Sequence, residues 1–131
     1  MKKSILEECI KLSLIYNTPQ KHDQWDCYHH FSYVIQNNQI IEKGQNKSGP
    51  PPVFYLPYQK LHSEFISFKK ARGLLDKQKP FELVNIRLNK QGLLKMSRPC
   101  LCCTAFLKNL GCKSVYFSTG ISPDFARLSL Q

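Results

Sequence analysis

The sequence predicts one α/β domain, spanning residues 1–131, around a mixed β-sheet of about five strands. Two observations carry this. Hydrophobic periodicity switches repeatedly between 3.6 and 2 along the chain, and an early hairpin pattern is followed by alternating helix and strand patterns. The length of 131 residues and the 42% hydrophobic content allow a core to be buried without disulfide staples.

Residues 4–16 place Ile5, Leu6, Cys9, Ile10, Leu12, Leu14 and Ile15 in a broad apolar stripe at helical spacing, which predicts a first amphipathic helix. It ends before Asn17-Thr18-Pro19, because proline disfavours helix in the preceding residue. A polar loop follows. Residues 30–36 then alternate through Phe31, Tyr33, Val34 and Ile35, Asn37-Asn38 is a two-residue turn signal, and residues 39–43 return as the second strand. Residues 44–52, from Gly44 to the Pro50-Pro51-Pro52 run, read as a loop with polyproline character. A helix is predicted over 61–75, with Leu61, Phe65, Phe68, Ala71 and Leu75 on one stripe. Next comes a strand over 82–89, with Val84, Ile86 and Leu88 on one side and Leu83 on the other. Lys90-Gln91-Gly92 turns the chain, and residues 93–96 extend the sheet or form a short ribbon. A helix over 100–110 is stopped by Gly111. Strands over 114–119 and 125–130 close the chain, with only residues 120–124 between them.

The N-terminus carries Glu7, Glu8 and Lys11 inside what would have to be the apolar core of a signal peptide. The expectation is therefore an intracellular protein, cytoplasmic or nuclear, without a signal peptide. No apolar run approaches the length of a membrane span, so no membrane partner is expected. In a reducing compartment the six cysteines do not read as a disulfide framework. Cys9 and Cys112 suit small core positions, and the sequence does not place Cys27. Nineteen basic against nine acidic residues, a formal charge of +10, suit an anionic partner, either nucleic acid or nucleotide; they equally suit a solvated basic surface.

Two segments carry chemistry. His62-Ser63-Glu64 has the form H-x-E, and Pro99-Cys100-Leu101-Cys102-Cys103 has the form P-C-x-x-C. One imidazole and two thiolates give zinc three ligands and leave a fourth position open, as a catalytic zinc needs. Both segments fall at predicted helix starts. Cys100 and Cys103, three apart, share a face there, and the helix N-terminus favours thiolates. Cys102 is out of phase with that pair and reads as a packed thiol, with a ligand role as the alternative.

Together the two motifs, with the element order hairpin, helix, strand, helix, strand over roughly residues 30–119, resemble the cytidine deaminase superfamily of zinc-dependent deaminases. The resemblance implies a three-layer fold with helices on both faces of the sheet. It also implies Zn2+ held by His62, Cys100 and Cys103, and Glu64 as the catalytic proton carrier. Gly44-Gln45-Asn46 is similar to the family's G-x-N element, which would make Asn46 a substrate contact, although Gly-x-Asn also suits an ordinary turn. Ser97-Arg98-Pro99-Cys100 resembles the S-x-P-C form, placing Ser97 beside the leaving amine. Tyr58 is expected to border the substrate. Trp25, Tyr28, His29, Phe54 and Tyr55 are open between base stacking and core closure. Ser63 departs from the alanine or valine common between the family's His and Glu.

The superfamily divides on the connection that leaves the strand after the Cys-Cys helix. The short return after Thr119 leaves no room for a crossover helix and resembles the hairpin branch, with antiparallel last strands. The expected activity is hydrolytic conversion of cytosine to uracil, in a polynucleotide on the strength of charge and loop aromatics. The alternatives are free cytidine, deoxycytidine or their nucleotides, adenosine in RNA, and a non-catalytic zinc-bound nucleic-acid module, which the presence of Glu64 disfavours. Small hairpin-branch deaminases often share active-site residues across subunits, so a homo-oligomer is compatible with the chain.

Overall fold

Asn37 and Asn38 both adopt positive φ, 55° and 58°, the backbone that a two-residue hairpin turn needs to match the strand twist. They join strand β1 (His29–Gln36) to β2 (Gln39–Gln45) in antiparallel register from Gln36↔Gln39 to Phe31↔Gln45, with a bulge at Val34/Ile35. The computed structural model describes residues 1–18, 29–46 and 63–131. The expectations for Trp25, Cys27, Tyr28, Phe54, Tyr55, Tyr58, Leu61 and His62 lie outside the described residues. The second strand runs two residues beyond its predicted end and takes Gly44 and Gln45 from the predicted loop. Asn46 then closes the pairing through its N–H to the His30 carbonyl at 3.0 Å.

Strand β3 (Phe81–Leu88) lies at the centre of the sheet. It pairs antiparallel with β1, from His29↔Leu88 to Ile35↔Glu82, and parallel with β5 (Cys112–Ser118). With β6 spanning Phe125–Ser129, the order is β2-β1-β3-β5-β6, and the short β4 (Leu94–Lys95) adds antiparallel to the end of β3. Among the described residues the sheet has six strands rather than about five, because Leu94–Lys95 form a short paired strand of their own. Strand β6 (Phe125–Ser129) returns antiparallel on β5, as the short connection required. Thr119 holds that connection, its hydroxyl 2.7 Å from both the Ile121 and Pro123 carbonyls.

Alternation along β1 and β3 builds a core on each face. Phe31, Tyr33, Ile35, Val84, Ile86 and Leu88 pack with Ile5 and Cys9 of helix α1 (Lys3–Tyr16). Val34, Phe81, Leu83 and Val115 pack on the other side with Ala71 of helix α2 (Ser63–Ala71) and Leu107 of helix α3 (Leu101–Asn109). The three layers match the expectation. A buried polar tie joins the first helix to the sheet. Ser13 donates its hydroxyl to the Cys9 carbonyl at 2.8 Å, so the Tyr33 hydroxyl, 2.7 Å away, donates to Ser13.

Helix α2 departs from its prediction in length, and its buried face is wider than the predicted stripe. It ends at Ala71, not Leu75. Gly73 weakens further helix, and the chain turns so that Gln36 can accept from the Asp76 N–H at 2.8 Å and donate to the Asp76 and Lys79 carbonyls. Its most buried side chains are Ser63, Glu64, Ile66, Ser67 and Ala71. Phe68 and Leu75 of the predicted stripe pack on the same core; the Phe65 and Phe68 rings lie 5.7 and 5.9 Å from Phe106 of α3, and Phe68 stacks on Phe81 at 5.6 Å. Small residues face the sheet because α2 lies directly on Gly44. A Cβ there would stand 2.4 Å from the Ser67 amide nitrogen and 2.5 Å from the Ser63 carbonyl oxygen. Among the described residues, no helix is long and apolar enough to cross a membrane.

Candidate active site

The N-terminal ends of α2 and α3 meet at a cavity of about 290 Å³ lined by His30, Asn46, Ser63, Glu64, Ser97, Arg98 and Cys100. Four of the seven site residues expected from sequence therefore share one wall: Glu64, Asn46, Ser97 and Cys100. Cys103 lies just behind it, 4% exposed. His62 and Tyr58 lie outside the described residues. A larger depression of about 850 Å³ at the opposite ends of α2 and α3 is rimmed by Arg72, Asp76, Lys77 and Lys79 and holds none of these groups.

Cys100 is the N-cap of α3, in extended backbone after Pro99, and its sulfur accepts from the Cys103 N–H at 3.4 Å. The two cysteines thus converge, although Cys100 precedes the helix rather than opening its first turn. Burial pushes the Cys103 thiol well above the ordinary range. The Glu64 carboxylate and then Cys100 add to the rise. A buried sulfur pressed by a carboxylate and a second sulfur has the donor character that a bound dication would satisfy. The residues present therefore fit zinc, with His62 as the further ligand the motif supplies. Among the described residues, no three His, Cys, Asp or Glu side chains close around one point. Cys102 is out of phase with the pair, as expected, but it is exposed rather than packed, because its face of α3 meets solvent.

Glu64 is buried, 6% exposed, and each oxygen of its carboxylate has a polar neighbour. Asn85 Nδ2 donates to Oε2 at 3.2 Å, and Ser63 Oγ lies 3.3 Å from Oε1. Asn46 accepts the His30 N–H on Oδ1 at 2.7 Å, which leaves its NH2 as the group it can offer a ligand. The Ser97 hydroxyl is engaged by the Asn85 carbonyl at 2.9 Å and by Ser118 Oγ at 2.7 Å, so it anchors the segment before Pro99. Arg98 is exposed, with its guanidinium 5.9 Å over the Phe117 ring. His29 does not form a stacking surface. It opens β1, is 3% exposed, and bonds Asn17 Oδ1 through Nδ1 at 3.0 Å.

The sequence motifs assign no role to Asn85, Ser32, His30 or Arg98. The available signal was a polar residue at an inward position of an apolar strand: Asn85 within Leu83-Val84-Asn85-Ile86, and Ser32 within Phe31-Ser32-Tyr33.

A three-layer α/β sandwich with a site at two helix N-termini defines the class, and this chain has the cytidine deaminase-like fold. No protein-family model and no curated protein sequence matches it. Among solved structures, it is similar to a dCMP deaminase from the cyanophage S-TIM5, at 20% identity over 92% of this chain and 90% of that one, with a TM-score of 0.57. It is also similar to a cytidine deaminase from Mycobacterium leprae, at 12% identity over 95% and 92%, TM-score 0.58. A third structure, a diaminohydroxyphosphoribosylaminopyrimidine deaminase/reductase from Thermotoga maritima, matches at 18% identity and TM-score 0.51; the match covers 88% of this chain and 28% of that longer one.

Proposed function

We propose that the chain is a zinc-dependent hydrolytic deaminase that converts the cytosine ring of a nucleoside or nucleotide to uracil, releasing ammonia. The observation that carries this reading is the shared cavity where a buried Glu64, anchored by Asn85, faces Cys100, with Cys103 directly behind. His62, Cys100 and Cys103 would hold the zinc, which when bound would supply an acidified water suited to attack at C4. Glu64 accepts the proton of that water, passes it to the ring nitrogen, and then serves the departing amine. Asn46 offers its NH2 to the substrate, and the Ser97 segment lines the wall on the amine side. Arg98 gives the cavity a cationic group suited to a phosphate, which favours a nucleotide. The similar cyanophage enzyme, whose structure is also known with dCMP and dUMP, supports the same substrate class.

A polynucleotide substrate is the second reading, favoured by the +10 charge. Of the aromatic and histidine residues that also suggested it, His29 is buried in the fold and the others lie outside the described residues. The test compares wild type with Glu64→Ala on cytidine, deoxycytidine, their monophosphates, and single-stranded RNA and DNA. Wild type should turn over a free compound, while Glu64→Ala keeps zinc and loses turnover. Equal activity in the variant overturns the mechanism. Turnover of oligonucleotides alone, with binding that weakens steeply with salt, replaces the first substrate reading by the second.

A further inference from the structure

Asn85 sits on the central strand, 3% exposed, on the face that carries Leu83 and looks toward α2 and α3. Its side chain touches two cavity-lining groups that are far apart in sequence. Nδ2 donates to Glu64 Oε2 at 3.2 Å and to the Ser97 carbonyl at 3.2 Å, and Oδ1 accepts from the Ser32 hydroxyl at 2.6 Å. The amide has one orientation. A carboxylate and a carbonyl can only accept, so the NH2 must face them and both its hydrogens are used.

The hydroxyl hydrogens are fixed in turn. Ser32 has one hydrogen, which goes to Asn85 Oδ1, since an amide oxygen cannot donate. Between Ser32 and Ser63, with oxygens 2.7 Å apart, Ser63 must therefore be the donor. Its single hydrogen is then drawn from Glu64 Oε1, the longer contact at 3.3 Å. One carboxylate oxygen is anchored and the other is left for exchange. Serine at position 63, where alanine or valine would be the familiar choice, is what completes this relay.

Resting on the deaminase reading, we propose that Asn85 is the positioning residue of this site. It fixes Glu64 by Oε2 so that Oε1 is the proton-carrying oxygen, and it ties that carboxylate at a set distance to the Ser97 carbonyl on the amine side of the cavity. The central strand thereby holds the proton carrier and the wall that the leaving group meets in one frame. Asn85 does not line the cavity itself and acts through Glu64 and Ser97, which do.

The test measures kcat, KM, zinc content and thermal midpoint for Asn85→Ala, Asn85→Asp and the Glu64→Ala control, on the substrate the wild type turns over. Supporting groups of this kind are worth about 10- to 100-fold. Asn85→Ala should lose that much in kcat, with KM and zinc content unchanged. Asn85→Asp, nearly identical in shape but unable to donate to Glu64 or Ser97, should lose at least as much. Should Asn85→Ala not fold, Asn85→Ser carries the test with the same expectation. Wild-type kcat in the folded Asn85 variants, with Glu64→Ala inactive, overturns the positioning role and leaves the deaminase reading intact. A loss that falls on KM or zinc content instead of kcat makes Asn85 a structural residue and overturns it equally. Activity in Glu64→Ala overturns the deaminase reading itself.

Discussion

Replacing Gly44 with alanine should disturb stability and activity together, through one helix. The added Cβ would meet the Ser67 amide nitrogen at 2.4 Å, the Ser63 carbonyl oxygen at 2.5 Å and Ser67 Cα at 2.8 Å. All three are backbone atoms of α2, so no side chain can swing aside. Restoring ordinary contact at roughly 3.5 Å requires α2 to retreat from β2 by about 1 Å. Overpacking of this kind costs about 1–3 kcal/mol. A domain of this length unfolds with an entropy that makes each kcal/mol worth about 4 °C, so the thermal midpoint should fall by about 4–12 °C. The retreat also carries Glu64, one residue along from Ser63, out of line with the cavity, and a misplacement of about 1 Å can cost about 100-fold in rate. Circular dichroism melting and a steady-state deamination assay on purified protein read both effects. Gly73→Ala is the control, because a Cβ there meets nothing within 4 Å; it should melt no lower than wild type. Wild-type melting and wild-type kcat in Gly44→Ala would refute the close approach of α2 to β2.

Three further outcomes are expected. Cys102→Ser should keep its metal while Cys103→Ser loses it, by metal analysis of the purified variants; the reverse result would show that the exposed sulfur is the ligand. Alkaline stability should fall above about pH 9. Burial pushes Cys9 and Cys112 up to about 12 from 9.0, so the unfolded chain releases these protons first, and stability drops by roughly 1.4 kcal/mol per pH unit for each thiol. Lys43 acts in the opposite sense just below its ordinary 10.5, since desolvation and then Lys70 make the folded state release its proton early. Denaturant midpoints from neutral pH upward check the net sign, and Cys9→Ala should flatten the alkaline fall. Tyr33→Phe removes the hydroxyl that donates to Ser13 and should cost about 1 kcal/mol, a drop of about 4 °C in the midpoint, without altering kcat.

The fold was largely legible in the chain because its strongest signals are local. Asn37-Asn38 demanded a left-handed turn and received one. Val84, Ile86 and Leu88 against Leu83 sorted the central strand into two faces before any partner was known. The short segment after Thr119 left β6 no route except antiparallel return. The H-x-E and P-C-x-x-C segments nominated Glu64, Cys100 and Cys103 through their resemblance to a known family, and helix phase placed the two cysteines on one side.

The features that stayed hidden depend on atoms brought together from distant parts of the chain. The predicted stripe rightly sent Phe68, Ala71 and Leu75 to the core but missed that Ser63, Glu64 and Ser67 are buried as well. Periodicity counts apolar residues and cannot foresee that Gly44 lets a helix backbone rest on a strand, where only Ser63, Ser67 and Ala71 are small enough. Cys102 had the expected phase, but only the packing around α3 decided that its face meets solvent. Asn85 and Ser32 read as blemishes in apolar strands until α2 delivers Glu64 and Ser63 above them. The motif resemblance could propose Glu64, Cys100 and Cys103, since a motif needs only residue types a few positions apart. Which oxygen of Glu64 is anchored, and by what, is set by hydrogen bonds between elements that meet only when the sheet and its helices close.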